Sequence, residues 1–313
     1  MPDSPIAATP YEILGVSPSV SNDDLRAAYR RLLRETHPDT GGSTARFIAV
    51  QNAWSRIGTP DDRAAYDRVG GSHYSGTGAS SASGSSASWA PQSRPTTQDT
   101  RPRARSYGHP GGWRRERYLT LVREWVGRGE TIDNPYDPAL VRSAPKALRH
   151  ILADALAEEA TARVLSNLGI GFTIWHDVDT GLPENKIDHI VLGPTGLLAI
   201  LSEDYGEPVR IRKGDLFGEA LDNRKPLHEL ASSAKVISRL AKVKFSALVI
   251  IVPDDQLDEP LTVLGSIRGA ATVVVRQSVL PALLRDGVAS ARLLGGNELF
   301  DVRTRLQGAI RFV

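Results

Sequence analysis

Between Gly70 and Ser88, thirteen of nineteen residues are Gly or Ser. No packed core runs through such a stretch, because it buries too little apolar surface to offset the entropy of ordering it. The 313-residue chain therefore reads as two folded parts separated by a flexible coil. A Pro- and Arg-rich stretch to about Pro110 continues that coil in a stiffer, basic form. Charge obeys the same division. Residues 1–69 carry 8 basic against 9 acidic side chains, whereas residues 94–117 carry seven Arg against Asp99 and Glu116. The net charge is only +2, so the positive excess sits in that one short segment.

No cysteine is present, which excludes a disulfide scaffold, a zinc ribbon and thiol chemistry, and fits a reducing cytoplasm. The first residues lack the basic and apolar regions of a secretory signal, and no apolar run approaches the roughly 18–20 residues that span a bilayer. The expectation is a cytoplasmic protein with no membrane span.

Before the coil the period is helical. Ser21 has the character of an N-cap with Asp24 three residues on, and Leu25, Ala28, Tyr29, Leu32 and Leu33 follow at helical spacing. Arg26, Arg30 and Arg34 recur on another face, with Arg31 beside them, and Pro38 ends the helix. A second helix from about Thr44 carries Phe47, Val50, Trp54 and Ile57 on one side. Thr59-Pro60 caps and starts a third, where Asp61, Asp62 and Arg63 read as capping and surface charge. Antiparallel packing of the helices is the simplest arrangement.

The run YEILGVSPSVSNDDLRAAYRRLLRETHPDTGG, followed by FIAVQNAWSRIGTPDDRAAYDR, resembles a J-domain over nearly its whole length. His37, Pro38 and Asp39 form the His-Pro-Asp tripeptide between the basic helix and its partner. Pro38 fixes its own φ and pushes His37 into an extended conformation, so the loop presents its polar side chains in a defined way. Asp39 suits a bidentate Arg on a partner, and Arg26, Arg30, Arg31 and Arg34 make a cationic ridge that steers toward an acidic surface. The resemblance implies that the ridge docks on a DnaK-type chaperone and that the tripeptide triggers its ATP hydrolysis. The Gly/Phe-rich and Cys-rich zinc regions of longer J-proteins are absent, so client choice would rest on the C-terminal part.

After the coil the periods mix. Helical stretches at Trp113–Val126 and Pro145–Leu168 precede strand-like runs at 172–178, 186–192, 197–201 and 209–212. A helix at 226–240 and buried strands at 247–252 and 272–275 complete the pattern of an α/β sandwich around a mixed sheet. Gly193-Pro194-Thr195-Gly196 reads as a hairpin turn. The expected layout is an all-α J-domain at 1–69, a disordered linker at 70–117, and a multidomain chain completed by an α/β domain at 118–313. The role of the helix at Trp113–Val126 is left open.

The segment from AEEATARVLSNL through KIDHIVLGPTGLLAILSEDYGEPVRI resembles the nuclease-related (NERD) domain, a branch of the restriction-endonuclease-like PD-(D/E)xK fold. In that fold a helix Glu, a strand Asp and a second strand carboxylate hold divalent metal, and a Lys two residues on assists the attacking water. Residue by residue, Glu158 or Glu159 matches the helix acid and Asp188 the strand acid. The second carboxylate falls on Leu201 and the Lys on Glu203. A rebuilt site of Glu158, Asp188 and Glu203 is the candidate, with Arg212 or Lys213 replacing the Lys, and Mg or Mn required only on this nuclease alternative. The other reading is a binding module in which Glu158 and Asp188 are hydrogen-bonding groups and no metal or other cofactor is held. His176 and His189, at strand ends, read as structural.

The basic stretch offers Arg101, Arg103, Arg105, Arg114, Arg115 and Arg117, near Tyr107 and Trp113, as candidates for nucleic-acid contact. Anionic lipid, an acidic partner or simple solubility would explain the same residues. The expected function is thus a co-chaperone of a DnaK-type partner with an unknown client and a noncatalytic C-terminal module. The alternative is a metal-dependent nuclease or nucleic-acid-binding adaptor.

Overall fold

The computed structural model describes residues 4–37, 43–73, 103–127, 129–212, 214–222, 224–289 and 291–313. Pro38, Asp39, Arg101, Lys213 and the Gly/Ser run beyond residue 73 lie outside these. The described residues fall into two compact units: residues up to 73 with 129–145, and residues 103–127 with 146–313.

The first unit opens with four helices, α1 (Pro10–Ile13), α2 (Asn22–Thr36), α3 (Thr44–Ile57) and α4 (Pro60–His73). Each start has a sequence-local cause. Thr9 and Glu12 form a capping box on α1. The Ser21 hydroxyl accepts the Asp24 amide at 3.2 Å, and Thr59 accepts the Asp62 amide at 3.1 Å. Tyr11, Leu14, Leu25, Leu32, Val50, Ala53 and Ile57 form the core. Tyr29 stacks on Trp54 with ring centroids 4.2 Å apart, and His37 meets Phe47 at 5.2 Å, so α2 and α3 run antiparallel as expected.

Arg63 does more than decorate the surface. Its guanidinium donates to the Tyr11 hydroxyl (3.1 Å), Asn22 Oδ1 (3.0 Å) and the Pro18 carbonyl (2.8 Å). The Tyr11 hydroxyl donates in turn to Asp67, one helical turn beyond Arg63. Arg63 and Asp67 share a face of α4 and together tie it to the first helices. This helix also passes the expected boundary at residue 69 and ends at His73, through Gly70 and Gly71.

The remaining elements are β1 (Arg105–Tyr107), α5 (Gly112–Val126), α6 (Pro138–Ser143), α7 (Lys146–Leu165), β2 (Thr173–Val178), β3 (Ile187–Gly193), β4 (Gly196–Ser202), β5 (Arg210–Arg212), β6 (Asp215–Phe217), α8 (Pro226–Ala241), β7 (Ala247–Val252), β8 (Leu261–Ile267), β9 (Ala270–Arg276), α9 (Leu280–Asp286) and α10 (Gly296–Ala309). Seven strands make one mixed sheet in the order β1-β2-β3-β4-β7-β9-β8, and β5-β6 form a separate hairpin. The pairs β1/β2, β4/β7 and β7/β9 are parallel; β2/β3, β3/β4 and β8/β9 are antiparallel. Strands β2, β3, β4 and β7 are buried along their whole length, which requires cover on both faces. Leu165 of α7 and Leu280, Leu283 and Leu284 of α9 pack on one face; Leu227, Leu230 and Ile237 of α8 and Val302 and Leu306 of α10 pack on the other. Gly193 and Gly196 pair directly, confirming the turn at Pro194-Thr195.

Two expected boundaries move. The α/β unit begins near residue 103, not 118, because β1 adds to the sheet edge beside β2 and the Ala104 amide bonds the Leu168 carbonyl at 2.8 Å. A three-residue edge strand is too short to show a period of two. Residues 129–145 leave the 118–313 block and group with the first unit, where Asp137 caps α6 through the Ala139 and Leu140 amides. The helix over 112–126, whose role was open, packs along α7 and buries Tyr118 and Val122.

Candidate functional site

On the first unit, Arg26, Arg30, Arg31 and Arg34 are all exposed along α2. Arg26 meets Asp23 and Arg31 meets Glu35 at 3.8 Å each, and Arg34 Nε donates to the Arg30 carbonyl at 3.2 Å. Such long exposed pairs hold a side chain weakly and leave its charge available. His37 ends the helix with φ −61° and ψ 131°, the extended geometry that a following proline imposes. Ridge and His37 thus stand on one short element.

The second unit holds a quite different group of charges. Lys186, immediately before β3, lies on the same face as Asp188 because residues i and i+2 share a side of a strand. Its ammonium donates to Asp188 Oδ1 at 2.6 Å and Glu158 Oε2 at 2.7 Å, and pairs with Asp177 Oδ1 at 2.7 Å. Asp177 sits at φ 50°, a left-handed backbone that Asp tolerates better than most residues. Arg114, one turn into α5, enters from the other side. It donates to Asp154 Oδ2 at 2.7 Å, pairs with Glu158 Oε1, and lies 3.8 Å from Asp188 Oδ1. Backbone amides complete the set: Ser202 donates to Asp188 Oδ2 at 2.8 Å and Gly111 to Glu158 Oε2 at 3.1 Å. Glu158 and Asp188 are fully buried and Lys186 nearly so.

Burial pushes the Asp154 carboxyl up to about 8, although Arg114 pulls the other way. It also raises Glu158, where the Asp188 charge adds to the effect, and Glu203. Asp188 is the exception: against its own burial, Lys186 and Arg114 hold it down at about 2. Burial alone would lower Lys186, but Asp188 and Glu158 raise it. Five carboxylates, Asp154, Glu158, Asp177, Asp188 and Glu203, share three cations, Arg114, Lys186 and Arg224, so burial is only partly compensated and holds Asp154, Glu158 and Glu203 toward their protonated forms.

These residues do not fit a divalent metal. Glu158 and Asp188, the two acids the nuclease resemblance assigns to it, are each already engaged by Arg114 and Lys186. Leu201 is buried in the apolar core. Among the described residues no group of three or more His, Asp or Glu side chains is arranged to hold a metal ion.

The candidate triad is brought together only in part. Glu158 and Asp188 share Lys186, but the buried Glu203 carboxylate faces Arg224 at 3.4 Å. Glu158, not Glu159, is the inward helix acid; Glu159 pairs with Arg115, whose Nη2 donates to Oε2 at 2.9 Å. Arg212 is exposed on β5. The lysine that meets the two acids is Lys186, two residues upstream of Asp188, which the sequence reading left unassigned; the K-x-D alternation was its available signal. His176 and His189 lie within β2 and β3, not at their ends, and are cross-strand partners with Nδ1 atoms 2.7 Å apart. His176 also bonds the Ser106 hydroxyl at 2.8 Å, and burial lowers it to about 4. Of the basic candidates, Arg103, Arg105 and Arg117 are exposed, whereas Arg114 and Arg115 are consumed by the carboxylates of α7.

Comparison with known families agrees with this division. Residues 9–67 match the DnaJ domain, and residues 153–252 match the nuclease-related domain (NERD). The chain joins a J-domain to a nuclease-related domain. Over 77 residues it is 43% identical to the chaperone protein DnaJ of Leifsonia xyli subsp. xyli, covering 24% of this chain and 21% of that protein. The chaperone protein DnaJ of Nostoc punctiforme is 44% identical over 72 residues, 22% of this chain and 19% of its own length. A DnaJ protein homolog of Cucumis sativus is 43% identical over 60 residues, 19% of this chain and 14% of its own. The chain thus spans about a fifth or less of the length of the curated relatives it matches. Arg114 lies outside the span of the nuclease-related match. No helix among the described residues is long and apolar enough to cross a membrane.

Proposed function

We propose that the protein is a co-chaperone whose J-domain recruits a DnaK-type chaperone and stimulates its ATPase, and whose nuclease-related domain is a noncatalytic module that engages a client. The observation that carries this reading is the exposed ridge of Arg26, Arg30, Arg31 and Arg34 ending on an extended His37. A cationic ridge beside a fixed polar loop suits an acidic groove on the partner, and Pro38 and Asp39 complete the loop in sequence. The domain performs no bond chemistry; it shifts the partner toward its hydrolysing state.

The noncatalytic part of the reading is supported by the charge count around Asp188, whose neighbours are cations held by carboxylates rather than an open oxygen cage. Nucleic-acid contact, if tested, would rest on Arg103, Arg105 and Arg117.

The deciding experiment is single-turnover ATP hydrolysis by a DnaK-type chaperone with the full chain and with His37→Gln. The wild type is expected to accelerate hydrolysis and the variant to lose that acceleration at unchanged helicity. Equal stimulation by both proteins sinks the proposal.

A further inference from the structure

We propose that the cleft between the C-terminal ends of α8 and α10 is an anion site that takes a small ligand carrying two or more phosphate groups. The cleft measures about 430 Å3, within the roughly 300–1,000 Å3 of small-molecule sites, and Lys242, Arg305 and Arg311 line it. All three are exposed, and among the described residues none lies within ion-pair distance of a carboxylate. Ala241, Gly308 and Ala309 are too small to fill the space between them. None of these residues belongs to the carboxylate cluster around Asp188, and the site is independent of the co-chaperone reading.

Helix C-termini carry partial negative charge, which by itself would repel an anion. Here that charge is already covered. Arg305 Nη1 donates to the Lys242 carbonyl at the end of α8 at 3.2 Å, and Arg311 Nη1 donates to the Ile310 carbonyl after α10 at 2.9 Å. These bonds fix both guanidiniums and leave Nε and Nη2 of each for a ligand, and a guanidinium fork beside an ammonium matches phosphate oxygens. The charge does not stop at the cleft. Lys235, Arg239 and Lys242 recur at i, i+4 and i+7 along one face of α8, a span of about 10 Å. Arg268, in the turn between β8 and β9, adds to the row: the Arg239 charge and then that of Arg268 hold the Lys235 ammonium below its usual range. A single phosphate would fill the cleft and leave this row uncompensated, whereas linked phosphates reach both.

The test is calorimetric titration of the full chain with inorganic tripolyphosphate, with orthophosphate at matched ionic strength for comparison. Lys242 stands at φ 53°, a left-handed position that glycine favours, so Lys242→Gly removes the ammonium and keeps the fold. The wild type is expected to bind tripolyphosphate, and Lys242→Gly to bind it about tenfold more weakly, the loss of one charge-assisted contact. Equal binding by the two proteins overturns the proposal, as does wild-type binding of orthophosphate as tight as that of tripolyphosphate. Hydrogen exchange places the ligand without any variant. Protection gained by the last turns of α8 and α10 supports the site, and protection confined to α2, whose arginines are the rival cations, overturns it. A DNA oligonucleotide that binds the wild type and fails to bind Lys242→Gly, while tripolyphosphate binds neither, would assign this face to a nucleic-acid backbone and overturn the small-ligand site.

Discussion

The two domains use charge in opposite ways. Along α2 the arginines stand in solvent, Arg26 and Arg31 in long ion pairs, and the fold beneath them is held by Tyr11, Leu14, Leu25 and Ile57. Around Asp188 the charges are interior, and each is some other charge's partner. An exposed charge costs the fold little and remains available to a partner. A buried one has lost its hydration and persists only because its counter-ions are in place, so removing any one leaves the others uncompensated. The exposed ridge leaves its charges to solvent, and the interior cluster binds its charges to one another.

The largest effect expected from that contrast is at Lys186. Lys186→Met takes the shared cation from Glu158, Asp177 and Asp188 without changing the apolar volume much. Loss of one partner from a buried ion group costs about 3–5 kcal/mol. Urea unfolding of the full chain, with hydrogen exchange across β3 and β4 reporting the second domain alone, should show that loss there and none in α2 and α3. A near-neutral substitution would mean that water reaches the cluster and that the contrast is false.

A smaller effect follows from pH. Asp154, at about 8 in the folded domain against 3.8 for an ordinary Asp, binds its proton more tightly when folded. Its contribution is complete at acid pH and fades as pH rises through 8. Glu158 and Glu203 are raised in the same sense. The depressed His176 acts oppositely, losing stability only as pH falls from 6.5 toward 4, so the two tendencies offset one another below pH 6.5. Above it the acids act alone. One proton of difference changes stability by about 1.4 kcal/mol per pH unit, so Asp154 alone should cost the second domain about 2 kcal/mol between pH 6.5 and 8. Asp154→Asn should flatten that slope, and a wild-type curve level across this range would break the link between burial and proton retention.

How much of each domain could be read in the sequence follows from the same contrast. The J-domain rests on local rules, with caps at Ser21 and Thr59 and apolar residues at helical spacing, and α2, α3 and the start of α4 lie where those rules put them, while the single turn of α1 is too short to show a period. Only Arg63 was underrated, because its partners Pro18 and Asn22 are distant in sequence. In the second domain Glu158 and Asp188 were legible through the family pattern. Lys186 was within reach, since K-x-D on a strand places both side chains on one face. Arg114 was not: it stood in a basic stretch read as linker, and nothing in a helical period tells which carboxylate 40 or 74 residues away it will meet. Strand β8 escaped for another reason, because a register shift between Val263 and Gly265 breaks the alternation that marks a strand.

The smallest effect on folding, and the sharpest test of what the exposed charges do, is expected at Arg30. Arg30→Ala removes one exposed guanidinium from the middle of the ridge, and stability should shift by no more than about 0.5 kcal/mol. Its consequence should appear only with the partner. Stimulation of a DnaK-type ATPase should weaken most at low ionic strength, where the ridge steers encounter, and the gap from wild type should narrow as salt screens that field. The comparison with Lys186 then becomes quantitative: one cation alters folding and leaves stimulation intact, the other alters stimulation and leaves folding intact. If Arg30→Ala destabilised α2 strongly, or if its defect ignored salt, the ridge would be part of the fold and the division of labour between the two domains would fail on the side of the J-domain.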